Sequence, residues 1–333
     1  MQRLAFAILE KAKCSYTNNS YESNACEYQD YIYPDLILKS FHKTALDKLT
    51  ALKIEINKIT DPDIKNFFWF VLTSILRSSS YVCTAQCQYV LPKKTKTNVL
   101  DPFYAYFTKI NEIFDDILTV NNLIDSNSRA QIFNEDSRKI TSIPDNWGDL
   151  VITSPPYANN YDYADVMRLE MLFWNDLNSW KNLHNDVVAG LVRSCTQHIG
   201  NLKKDIAKYL NSPLLAPIKE ELEEKYFLLE KERKSHGGKK NYHVMIVMYF
   251  YDLAQVFQSL FRVTKSSAKM CFVVGDSAPY GIYIPVDIWL GKLAQNAGFA
   301  RFKFEKLRDR NVKWKNRKHD VPLSEGRLWI SKT

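Results

Sequence analysis

The sequence predicts an α/β fold preceded by a mainly helical N-terminal region, and three observations predict it. Leu150-Val151-Ile152 is an apolar run behind Asp149, ended by Ser154-Pro155-Pro156-Tyr157. Such a run suits the centre of a parallel sheet, and proline cannot continue the ladder. Further on, an apolar helix over Val244 to Phe261 leads into a buried strand, Lys269 to Asp276, then a helix from Ile284 to Ala297. Before these, apolar residues between Leu36 and Ser80 recur close to a 3.6-residue period.

In chain order, Ser15 to Ser23 is rich in Asn, Ser and Tyr and reads as a loop. Leu46, Leu49, Leu52, Ile54 and Ile56 mark one helix, and Ile64, Phe67, Phe68, Phe70, Val71 and Ile75 a second. The second starts at Asp61-Pro62-Asp63, with proline in its first turn. Lys93, Lys94 and Lys96 form a basic loop, solvated or touching phosphate. Residues 103 to 119 make another amphipathic helix. From Ala130 the pattern changes: Gln131-Ile132-Phe133 reads as a short strand ahead of Asp136. Between His184 and Tyr242 the chain is charged and helical, with Lys219 to Lys234 nearly continuous. The end alternates as two strands, Phe302 to Leu307 and Arg327 to Ile330, with Gly298 capping the helix before them.

Composition is globular, with 46% hydrophobic and 25% charged residues among 333, enough to build a core. A net charge of +8 fits a polyanionic partner without demonstrating one. The six cysteines (14, 26, 83, 87, 195, 271) are scattered, which reads as a reduced, cytoplasmic chain. Cys83 and Cys87 have no second pair at zinc-like spacing, and no metal ligand set is legible. Met1 to Leu9 is too short and badly flanked for a signal peptide or membrane span.

Each proline fixes its own φ and restricts the residue before it, so Ser154 to Tyr157 forms a rigid loop at a strand's carboxyl end, where open α/β sheets bind ligands. This loop resembles the catalytic motif of amino-group DNA methyltransferases, which methylate cytosine N4 or adenine N6. Asn160-Tyr161-Asp162-Tyr163 and the helical run Met167, Leu169, Met171, Leu172, Phe173 extend the resemblance, which covers roughly residues 130 to 333. It implies the C-terminal portion of a Rossmann-like methyltransferase sheet, with S-adenosylmethionine as cofactor and double-stranded DNA as partner. Residues 1–125 are then a helical region for partner or DNA contact. Residues 126–333 are the catalytic region, with a charged helical insertion at about 184–242.

The resemblance also implies roles. Ser154, Pro155, Pro156 and Tyr157 are catalytic. The Ser154 hydroxyl and the Pro155 carbonyl accept the hydrogens of an exocyclic amino group, and Tyr157 stacks on the flipped base. Ser154 and Asp136 border the cofactor, although Asp136 reads equally as a helix N-cap ahead of Arg138. Serine in the first motif position favours cytosine N4. Tyr161, Arg193, Lys239, Lys240, Arg308, Arg310, Lys313 and Lys315 are the candidate DNA contacts, the last four in a basic loop around Trp314.

One expected part is missing. The family holds its cofactor with a glycine-rich turn, because backbone must approach the ligand closely. Asp101-Pro102-Phe103 begins like that turn, but Tyr104-Ala105-Tyr106-Phe107 follows, and the first of ten glycines is Gly148. Three readings follow: a split DNA methyltransferase whose second subunit brings the glycine-rich half, in a bacterial restriction-modification or phage-defence setting; a non-catalytic nucleic-acid-binding subunit; or an adenine-N6, RNA or protein-glutamine methyltransferase.

Overall fold

The computed structural model describes residues 1–21, 32–85, 88–90, 96, 98–123, 130–176, 190–238, 240–310 and 321–332. They form two compact units. The first comprises residues 1–131 and 164–183, the second 132–163 and 184–333.

The first unit is helical. Its main helices are α1 (Gln2–Tyr21), α2 (Asp35–Ser40), α3 (Lys43–Asn57), α4 (Pro62–Ile75) and α5 (Pro102–Leu123), with a small hairpin of β1 (Cys83–Ala85) and β2 (Gln88–Val90). Of the expected loop, Ser15 to Tyr21 instead forms about the last two turns of α1, where the Thr17 hydroxyl donates to the Lys13 carbonyl at 2.9 Å, and residues 22–23 lie outside the described residues. Asp61 caps α4 as its sequence suggests, accepting from the N–H groups of Asp63 and Ile64 at 3.0 Å. Asp101 does the same for α5, accepting from Phe103 and Tyr104. Asp101-Pro102-Phe103 is therefore a helix start. Leu49, Leu52, Phe68, Val71 and Leu72 are buried in this unit. Its last short helices are α6 (Tyr163–Val166), which begins at the boundary residue, and α7 (Arg168–Trp174). Leu169, Leu172 and Phe173 of α7 are buried, and the Lys53 ammonium donates to the Phe173 carbonyl at 2.6 Å.

The second unit is α/β. Strands β3 (Gly148–Thr153), β4 (Thr264–Gly275), β5 (Arg301–Arg310) and β6 (Leu323–Ser331) form one sheet in the order β3-β4-β6-β5. The β3–β4 pair is parallel, while β4–β6 and β5–β6 are antiparallel, so the last two strands are a hairpin. Between β3 and β4 lie α8 (Ile206–Leu210), α9 (Lys219–Ser235) and α10 (Tyr242–Val263), and α11 (Val286–Asn296) follows β4. Helix α10 is the centre of the core, with Met245 to Phe250, Leu253 and Phe257 buried. By length and composition it could cross a membrane, but 72% of its most apolar window is buried inside the fold.

Two sequence expectations are corrected. Gln131-Ile132-Phe133 is not a strand: the segment is unpaired, and Ile132 is 96% exposed. Nor is β3 central. Among the described residues it pairs only with β4, at the edge of the sheet, and Leu150 and Ile152 point to solvent with 56% and 72% of their surface exposed. Both departures share a cause: among the described residues no strand lies on the free side of β3, so segment 131–133 has no ladder to join.

Candidate active site

Ser154 to Tyr157 leaves the carboxyl end of β3 without regular structure. Pro155 is buried and Ser154 exposed. The Ser154 hydroxyl donates to the Val273 carbonyl of β4 at 3.3 Å. That bond turns the O–H toward the sheet and leaves oxygen lone pairs able to accept from another group. The Tyr157 N–H donates to the Tyr163 hydroxyl at 3.3 Å, and its carbonyl accepts from the Asn159 N–H at 2.7 Å. The Tyr163 ring packs edge-on against Tyr161, with centroids 4.6 Å apart. The motif therefore begins on the sheet and ends on a pair of aromatic rings.

The β5–β6 hairpin reaches the same place. Arg310, at the end of β5, lays its guanidinium over the Tyr157 ring, 5.0 Å from the centroid. Its Nη1 donates to the Asp276 carbonyl at 2.8 Å, and its Nε lies 3.9 Å from Glu325 of β6. Gly275 makes this crossing possible, because a Cβ there would sit 2.6 Å from Arg310 Nη1. The Tyr157 phenol is pushed above its ordinary range, first by burial and then by the Glu325 charge, against the pull of the Ser154 hydrogen bond and Arg310. The phenol thus stays neutral at physiological pH.

Behind Arg310, Asp276 accepts from the Ser324 hydroxyl at 2.7 Å. Burial and the nearby Asp276 raise the pKa of Asp287. Burial, with Asp276 again second, pushes the Tyr283 phenol up.

The remaining candidates lie as follows. Asp136 caps a 3-10 turn, Ser137–Lys139, accepting from the Arg138 N–H at 2.9 Å, and both its oxygens also bind the Arg138 guanidinium. Burial disfavours its charge, but the Arg138 bonds outweigh that and hold the carboxyl below its usual range. Arg193 is packed inward. Its backbone N–H and its Nε bind Asp252 at 2.9 and 2.8 Å, its Nη2 contacts the same carboxylate, and only 14% of its side chain is exposed. Asp252 is fully buried on α10 and also meets Arg138 Nη1 at 3.2 Å. Two guanidiniums are thereby committed to one buried carboxylate. Arg308 is well exposed and donates to Glu325 at 2.8 Å. Lys240 is exposed, its ammonium 5.9 Å from the Tyr242 ring. Lys239, Lys313 and Lys315, with Lys93 and Lys94, lie outside the described residues.

The structure gathers Ser154, Pro155, Tyr157, Tyr161 and Arg310 at one end of the sheet. Sequence reasoning missed Glu325 and Gly275, which carry no motif signal, and it placed Arg310 in a solvent loop.

No family model matches the chain, and no solved structure matches it. Among curated proteins it is similar to the type II methyltransferase M.BsoBI of Geobacillus stearothermophilus, 31% identical over 183 residues that are 51% of this chain and 35% of that protein. It is also similar to the type II methyltransferases M.AvaI of a Nostoc species and of Anabaena variabilis. Each is 31% identical over 260 residues, 71% of this chain and 52% of the relative. The chain spans about half the length, or less, of these curated relatives.

Proposed function

We propose that this chain is the catalytic part of a DNA methyltransferase that acts on an exocyclic amino group of a flipped base, cytosine N4 by preference. The observation that carries this reading is the Ser-Pro-Pro-Tyr loop at the carboxyl end of β3, with Ser154 and Tyr157 presented side by side. An exocyclic amino nitrogen is a poor nucleophile because its lone pair is delocalised into the ring. The Ser154 oxygen and the Pro155 carbonyl accept its two hydrogens, which favours a tetrahedral nitrogen with a usable lone pair. Tyr157 stacks on the base, so that positioning is the main contribution to rate. Serine in the first motif position supports cytosine N4 over adenine N6. The similarity to type II methyltransferases supports the reaction class and a restriction-modification setting.

S-adenosylmethionine is the methyl donor this reading requires, and the residues of this chain do not fit it unaided. No glycine precedes Gly148 to let backbone approach the donor, and both oxygens of Asp136 are bound to Arg138. The glycine-rich turn then comes from outside these residues, and in this reading a second subunit brings it. The edge position of β3 supports this. Its free backbone edge and its exposed Leu150 and Ile152 suit an added strand, whereas an isolated sheet protects such an edge. Duplex DNA is the partner of Tyr161, Lys240, Arg308 and the basic segment holding Lys313 and Lys315, and Arg310 serves the motif.

The test mixes the purified chain, the candidate glycine-rich half, labelled S-adenosylmethionine and duplex DNA, then identifies the methylated nucleoside by mass spectrometry. N4-methylcytosine formed only in the full mixture supports the reading. N6-methyladenine would retain the enzyme and reverse the base choice. No methylated DNA from any glycine-rich half would leave the non-catalytic reading in its place.

A further inference from the structure

The loop after the motif holds a second constellation that the methyl-transfer reading does not use. Asp162 lies more than thirty residues before Cys195 and His198 in the sequence, yet each of the three places one ligand-type atom within 4.8 Å of the others. The closest approach is His198 Nε2 to Asp162 Oδ1 at 2.9 Å. The site is internal: Cys195 and His198 are 1% and 6% exposed, and the Asp162 side chain 11%.

Its backbone frame is fixed on both sides. Cys195 and His198 stand at the two ends of one turn, closed by the His198 N–H donating to the Cys195 carbonyl at 3.0 Å. A two-residue spacer lets both side chains converge from that turn. The opposing segment is tied to it by the Asn160 N–H donating to the Ser194 carbonyl at 3.1 Å, and by Asn160 Oδ1 accepting from the Thr196 N–H at 2.8 Å. Asn160 takes a left-handed φ of 64° to make both bonds, a conformation asparagine tolerates better than most residues.

We propose that Asp162, Cys195 and His198 bind one zinc ion. A sulfur, an imidazole nitrogen and a carboxylate oxygen are the donor types zinc takes, and a thiolate with a carboxylate balances its two positive charges in a buried place. Asn160 Oδ1 lies 3.7 Å from Cys195 Sγ and can serve as the fourth ligand, with water the alternative. The ion is structural. It fastens the loop from Ala158 to Tyr163 to the turn beginning at Cys195, and so holds the Tyr161–Tyr163 ring pair and the hydroxyl that accepts the Tyr157 N–H. Nothing in this depends on the methyl-transfer reading.

The test uses the full chain purified without a metal-affinity step. Elemental analysis should find about one zinc per chain. After chelation, titration with cobalt chloride should give the intense thiolate-to-cobalt absorption and the visible bands of a tetrahedral site. Cys195→Ser should abolish the thiolate band, while Cys14→Ser leaves it unchanged. Asp162→Asn, a milder change, should weaken zinc binding by at least the ~10–100-fold that loss of an outer-shell partner costs a metal site. The wild-type cobalt spectrum needs no variant to fold. Absence of both zinc uptake and a cobalt band in the wild-type chain would overturn the proposal, as would a thiolate band that survives Cys195→Ser.

Discussion

The two faces of the four-stranded sheet differ in what covers them. On one face Met270, Phe272, Leu328 and Ile330 are buried beneath α10 and α11, with the Phe257 ring 5.2 Å from Phe272. The register puts Ile152, Cys271, Trp329 and Lys303 in one row across the opposite face. There Ile152 is 72% exposed and Trp329 36%. Only β3 is apolar on both sides, with Val151 packed on the core and Leu150 and Ile152 outward; along β5 and β6 the outward face carries Arg301, Lys303, Glu305 and Arg327, and Cys271 in the same row is buried. In the proposed reading, the edge of β3 that no described strand pairs, with its exposed Leu150 and Ile152, is where the second subunit docks. The motif stands at the end of that same edge strand.

The largest expected effect is at the motif itself. Ser154→Ala or Tyr157→Ala should lower methyl transfer by about 100-fold or more, the scale of losing one group that acts on the reacting atoms, with assembly unchanged. A variant that methylates normally would remove the site assignment. Next is the covered side. Asp252→Ala leaves the Arg193 and Arg138 guanidiniums without their buried carboxylate and should cost about 3–5 kcal/mol in urea unfolding of the chain alone. Phe272→Ala should cost a similar ~3–5 kcal/mol by opening a cavity under α10. Ile152→Asn on the open face should move the stability of the lone chain by no more than about 0.5 kcal/mol, the range of ordinary surface changes. The same variant should weaken capture of the glycine-rich half. Equal destabilisation by Phe272→Ala and Ile152→Asn in the lone chain would erase the contrast between the faces.

A further effect is one of pH, and it lies in the helical unit. Lys53 has a pKa lowered from 10.5 to about 8, chiefly by burial and against the pull of Asp176. Its ammonium sits 4.9 Å from the Phe173 ring and 5.3 Å from Trp174. Between those two pKa values the unfolded chain binds more protons than the folded one, so this group's contribution to stability rises as pH increases from about 8 to 10.5. Lys53→Met should flatten that part of a melting-temperature profile. An unchanged slope would place the Lys53 pKa at its ordinary value.

Much of this was legible in the residues. Asp61-Pro62 marked a helix start, and apolar spacing marked α3, α4 and α10, because caps and periodicity are local. The motif was legible because two prolines and a strand define its geometry without long-range help. What failed depended on neighbours. Ile132 looked like a strand residue but has no partner to pair with, and β3 looked central because Leu150 and Ile152 are apolar, which reports what a strand is made to pack against and not what this chain provides. Arg193 looked like a phosphate contact until Asp252 of α10 was seen to hold it. Arg310 looked like a loop cation, and only the hairpin register brings it over Tyr157. Asp162, Cys195 and His198 carry no contiguous motif, so only folding reveals them.

The central claim is that this chain holds the amino-group chemistry and lacks the donor cradle. Titration calorimetry with S-adenosylmethionine tests it most directly, first on the chain alone and then with the glycine-rich half added. The account predicts no heat of binding from the chain alone, and saturable binding when the second half is present. Saturable binding by the chain alone would show a complete donor site within these residues and contradict the account.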